Sequence, residues 1–116
     1  MNERVDFGKY GKAFQEGLCQ LIFEDRPFAD QITEVLDIKF LELEYLRVFT
    51  RKIIQYRVKY GTHPSCQVMG TILKTELENE NDITKKQVSD YFEKIQITAL
   101  EDDEYIKETS LDFCKK

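Results

Sequence analysis

Residues 42–61 read ELEYLRVFTRKIIQYRVKYG. Within this stretch Leu46, Phe49, Ile53, Tyr56 and Tyr60 recur at alternating intervals of three and four residues. At about 100° per residue they project into one stripe roughly 80° wide, which is the pattern of an amphipathic helix. The helix is expected from near Glu42 to Tyr60. Gly61 then stops it, because glycine enters the left-handed region without steric cost.

The same spacing continues on both sides. Phe14, Leu18, Leu21 and Ile22 share one face of an earlier helix. Asp25-Arg26-Pro27 interrupts it. Proline fits a first helical turn, so a short second helix begins there, with Phe28, Ile32, Val35 and Leu36 inward. Asp37 to Phe40 alternates and reads as a connector. After Gly61, Pro64 holds His63 extended. Ser65 is placed to cap a helix carrying Val68, Met69, Ile72, Leu73 and Leu77. The polar run ENENDI, residues 78–83, breaks the chain. Helix is expected again from Thr84, with Thr84 and Gln87 as a capping box and Val88, Tyr91, Phe92 and Ile95 as the apolar face. A last helix is expected from near Asp102. Its acidic start and its end at Lys115 and Lys116 both suit the helix dipole. No segment alternates strongly and no repeat of fixed period occurs. The fold class is all-α: a compact bundle of five or six short helices.

Composition agrees with one domain. The chain has 116 residues, 41% hydrophobic and 34% charged, and its eight Phe and six Tyr supply a core. Cys19, Cys66 and Cys114 are odd in number, far apart and form no CxxC. They read as reduced thiols, which points to the cytoplasm. No apolar run reaches the roughly 18 residues of a membrane span, and the first dozen residues have no secretory apolar core. Net charge is −5; residues 1–61 balance ten acids with ten bases, while residues 62–116 carry twelve acids against seven. An acidic domain repels phosphate, so little direct nucleic-acid binding is expected. Arg47, Arg51, Lys52, Arg57 and Lys59 project in several directions rather than along one stripe.

No phosphate loop, GxGxxG or GxSxG occurs. His63 is the only histidine. It sits in a turn, where an exposed or capping role competes with a catalytic one. Cys66 lies three residues on, near a helix start that lowers a thiol pKa, or else packs as a small inert side chain. Glu101 to Glu104 are acidic but lack the alternating ligands and glycine of a calcium loop; a helix amino-terminus explains them. No catalytic residue, cofactor or metal site is expected.

Two groups of apolar residues exceed what one helix face needs. Ile54 and Val58 lie opposite the main stripe among Arg47 and Arg51, as either a second buried face or a partner-binding patch with a basic rim. In the last helix Tyr105, Ile106, Thr109 and Phe113 share a side, whereas Leu111 and Cys114 lie on another. They are read either as the end of the core face or as a surface for association.

Taken in order, four stretches carry a family resemblance: FQEGLCQLIFEDRPFADQI (14–32), FLELEYLRVFTRKIIQYRVKYGTHPS (40–65), the helix after Ser65 ending in TELENENDIT (75–84), and ALEDDEYIKETSLDFCKK (99–116). They resemble the amino-terminal domain of DnaB-type replicative DNA helicases in the divergent form found in phages. The second stretch is similar to that family's Phe-rich connector, long helix, Tyr-Gly turn and Pro-Ser cap. The resemblance implies a tail over residues 1–13, a globular helical domain over 14–101 and the start of a hairpin arm over 102–116. It implies a chain that is not itself an enzyme, drawn from an ATP-dependent helicase whose phosphate loop lies elsewhere. It further implies a collar on a hexameric ring, usually a trimer of dimers, that supports assembly with other helicase subunits and docks primase or a helicase loader. The competing expectation is a stand-alone phage or bacterial adaptor or inhibitor of similar fold that binds a host protein.

Overall fold

The computed structural model describes residues 6–115. Among them are six α-helices: α1 (Gly11–Glu24), α2 (Arg26–Ile32), α3 (Glu44–Tyr60), α4 (Cys66–Thr75), α5 (Asp82–Ile97) and α6 (Asp103–Cys114). Two single 3-10 turns, Phe7–Tyr10 and Ile38–Phe40, complete the helical elements, and no strand occurs among the described residues. The all-α expectation therefore holds.

Local chemistry sets the boundaries. Asp25 caps α2 by accepting from the Phe28 amide at 3.0 Å, and Pro27 sits in the first turn where its missing N–H costs nothing. Asp37 accepts from the Lys39 amide at 2.9 Å and turns the connector into the second 3-10 segment. Ser65 caps α4 through the Val68 amide at 3.1 Å, and Gly61 closes α3 at φ 68°. The start of α5 differs from expectation. Asn81 is the cap, accepting from the Thr84 amide at 2.7 Å, and the helix begins at Asp82. Asparagine's short amide reaches that amide, so Thr84 is free to turn inward and is buried.

α1 and α3 form the centre. On one side α2 and α6 lie on α1; on the other, α5 and α4 lie on α3. Phe49 is fully buried, with its ring edge-on to Tyr91 at 5.1 Å and to Phe23 at 5.9 Å. The expected inward faces of α1 and α5 are all buried. In α2 the pattern runs past the helix, which ends at Ile32, so Val35 stays exposed and Leu36 half-buried.

The boundaries implied by the family resemblance, after residue 13 and before residue 102, do not coincide with breaks in packing. Phe7 is fully buried in an aromatic cluster with Phe14, Phe40 and Phe113. α6 folds back along α1 and α2 instead of projecting as an arm. Lys107 bonds Asp25 at 2.7 Å across that contact. The rest of the expected tail, residues 1–5, and Lys116 lie outside the described residues.

Candidate functional site

The apolar stripe of α3 splits in two. Leu46, Phe49 and Ile53 are buried, but Tyr56 is half-buried and Tyr60 is 58% exposed. The two tyrosines, one turn apart, pair with ring centroids 4.6 Å apart. Tyr91 of α5 packs on Tyr45 and Phe49 in the earlier part of α3, while the turn through Gly61 and Pro64 sets α4 beside the later part. Between α3 and α4 this leaves a groove of about 590 Å³ lined by Lys52, Tyr56, Lys59, Tyr60, Val68 and Ile72 among others. Its volume lies within the roughly 300–1,000 Å³ of specific ligand sites. Its floor is apolar; its rim carries the ammonium groups of Lys52 and Lys59 and the polar side chains of Gln55, Gln67 and Thr71.

The sequence-derived contact residues fall elsewhere and do not form one surface. Arg47 is half-buried and donates from Nε to the Leu41 carbonyl at 2.6 Å, tying the connector to α3. Arg51 and Ile54 are half-buried, and Val58 is 81% exposed. Of the contact residues expected in α6, only Tyr105 is open, at 60%. Ile106 is 6% exposed, so it belongs to the core. Phe113 packs on Phe7 at 4.5 Å, and Leu111 and Cys114 pack partly buried against the same core. The groove residues on α4 escaped the sequence reading. The available signal was that the α3 stripe ends in two tyrosines, side chains suited to a boundary with water.

Two polar clusters brace the fold. Around Glu16, the Tyr45 hydroxyl donates to Oε2 at 2.7 Å, Lys94 bonds Oε1 at 3.0 Å, and the Tyr91 hydroxyl donates to the Glu16 carbonyl. Burial, and then the Glu16 carboxylate, push the Tyr45 phenol above its ordinary range; burial does the same to Tyr91. Both rings therefore act as donors that join α1, α3 and α5.

The second cluster surrounds His63, which is half-buried rather than exposed. Its Nε2–H donates to the Phe23 carbonyl at 2.7 Å, and Nδ1 accepts from Arg57 Nη1 at 2.8 Å. Arg57 also pairs with Asp30, and Arg26 donates to the Thr62 hydroxyl at 2.8 Å. Cys66 does not join His63. It is exposed, and its thiol donates to Gln96 Oε1 at 3.4 Å. Both imidazole nitrogens are already engaged, so no thiol–imidazole pair forms.

No protein-family model, curated protein or solved structure matches this chain. Among the described residues no group of three or more His, Cys, Asp or Glu side chains is arranged to hold a metal ion, and no helix is long and apolar enough to cross a membrane.

Proposed function

We propose that this chain is a non-catalytic docking and assembly module of a DnaB-like replicative DNA helicase, acting in the cytoplasm through ring assembly and the docking of primase or a helicase loader. The observation that carries the docking part is the α3–α4 groove. There an apolar stripe continues beyond the core into solvent, with two aromatic rings and with cations that have no ion pair among the described residues. The helicase part rests on the ordered resemblance of the four sequence stretches. The test of assembly is sedimentation of this chain and of a version lengthened by about 40 residues of its own reading frame, roughly the length of two helical arms of about 30 Å each. Self-association of the longer form supports the proposal; a monomer at high concentration removes the ring-assembly reading. Neither form is expected to hydrolyse ATP unless the reading frame runs on into a phosphate loop.

A second reading is favoured by α6. Its close packing on α1, with Ile106 and Phe113 turned inward, supports the reading of a helical adaptor or inhibitor that binds a host protein. A lengthened chain that stays monomeric while the groove binds a partner selects that reading.

A further inference from the structure

We propose that the α3–α4 groove receives an acidic amphipathic helix of a partner protein, with apolar side chains at i, i+4 and i+7 on the groove floor and carboxylates against Lys52 and Lys59. The inference rests on the docking reading above and names the chemistry of the occupant.

Charge selects the occupant's sign. α3 carries five bases against one acid on a chain of net charge −5. Arg47 is taken by Glu44 and Arg57 by Asp30. Arg51, Lys52 and Lys59 have no ion pair among the described residues, and two of these three line the groove. The groove holds one carboxylate, Glu76, against them. The Tyr56 and Tyr60 hydroxyls have no hydrogen bond among the described residues, which adds two donors to the same wall. A rim rich in donors suits carboxylate acceptors.

Shape selects a helix. Both walls are helices, and the ten residues of α4 make a trough about 15 Å long, room for nearly three turns. Helix-in-groove recognition reads anchors at i, i+4 and i+7 over that length. The floor provides Ile72, half-buried Val68 and the two rings, which anchor aliphatic side chains. Single-stranded DNA fits less well. Its bases can stack on the two rings, but Val68 and Ile72 make the rest of the floor aliphatic, which suits apolar side chains better than base faces.

The test uses two fluorescent helical peptides of about 14 residues, some 21 Å long. Both carry Leu at i, i+4 and i+7; one is flanked by Glu, the other by Lys. An oligothymidylate of about 20 nucleotides is the third probe. The Glu peptide is expected to bind at about 10–100 µM, with amide shifts confined to α3 and α4. Lys52→Glu with Lys59→Glu should weaken it at least about tenfold and improve the Lys peptide. Neither lysine has an ion pair among the described residues, and Lys59 rests only over the exposed Tyr60 ring, 5.3 Å from its centroid, so this double variant should lose little in thermal midpoint; Tyr60→Ala, at that exposed ring, gives an independent loss of binding. Equal binding of both peptides, no binding of the Glu peptide by about 1 mM, shifts outside the groove, or tighter binding of the oligothymidylate each overturns the proposal. Self-association of the lengthened chain is read separately, so a failed groove leaves the assembly result standing.

Discussion

Gly17 of α1 faces Ile106 of α6 so closely that a β-carbon on the glycine would stand 2.8 Å from Ile106 Cδ1 and 3.2 Å from Leu100 Cδ1. The missing side chain is what lets α6 lie down on α1. Alanine would gain up to about 1 kcal/mol as a helix former but overpack a buried contact, at a cost of about 1–3 kcal/mol. Gly17→Ala is therefore expected to be destabilising by about 1 kcal/mol. Ile106→Val removes the atom that is struck, so the pair should couple by at least about 0.5 kcal/mol in the relieving direction. Urea denaturation of the four proteins reads the cycle. Additive effects, or a stabilised Gly17→Ala, would show that α6 has room to spare.

Phe49 tests the phase of α3. Its fully buried ring meets Tyr91, Phe23 and Phe92. Phe49→Ala should cost about 3–5 kcal/mol, a large share of the stability of a domain this size. The expected result is a steep fall in thermal midpoint. Tyr60→Ala on the same stripe should leave the midpoint nearly unchanged, because that ring already stands in water.

The contrast between Phe49 and Tyr60 shows how far the sequence was legible. Periodicity gives the helix and its inward side, since burial and the 3.6-residue repeat act within one segment. It does not say how far along the stripe burial extends, so Tyr56 and Tyr60 share a pattern with Leu46, Phe49 and Ile53 although they are half-buried and exposed. Asn81 shows the same limit at a cap, where two polar residues competed and three-dimensional placement chose. Phe7 was hidden for another reason: a lone aromatic ahead of the first periodic run carries no pattern, and only its partners Phe40 and Phe113, distant in sequence, reveal it as core. The groove was half legible. Its α3 wall lay in the stripe, whereas Val68 and Ile72 of α4 had no mark to distinguish them from ordinary core residues.

The three thiols should react in a fixed order. Cys66 is exposed; Cys114 is half-buried, and burial pushes its thiol up to about 11. Cys19 is fully buried, accepts from the Thr50 hydroxyl at 3.2 Å, and is pushed up to about 12 by burial. The thiolate is the reactive form, so an aromatic disulfide reagent near pH 8 should titrate Cys66 fast, Cys114 slowly and Cys19 only on unfolding. Rapid loss of two thiols in the native protein would show that α6 does not stay docked.

His63 joins the end of α1 to the end of α3, and its bonds require the neutral ring. Burial lowers its pKa most. The charges of Arg57 and Arg26 lower it further, against the opposing pull of the Phe23 carbonyl and Asp30. A proton on Nδ1 would point at the Arg57 guanidinium and break that bond. The unfolded chain takes up this proton near the ordinary value of 6.5, before the folded chain does. Stability from this site is therefore complete above that value and is lost as pH falls toward the depressed folded value. His63 is the only histidine, so the slope between about pH 7.5 and about pH 5.5 should belong to it. Asp25 acts in a different window. Its bond from Lys107, and then that from the Phe28 amide, hold it below 3.8, so its contribution fades only in stronger acid. The urea midpoint of the protein should drop across the histidine window. In His63→Gln the amide can still donate to Phe23 and accept from Arg57 but does not titrate, so the curve should flatten. An equal slope in both proteins would mean that another group controls the joint between α1 and α3.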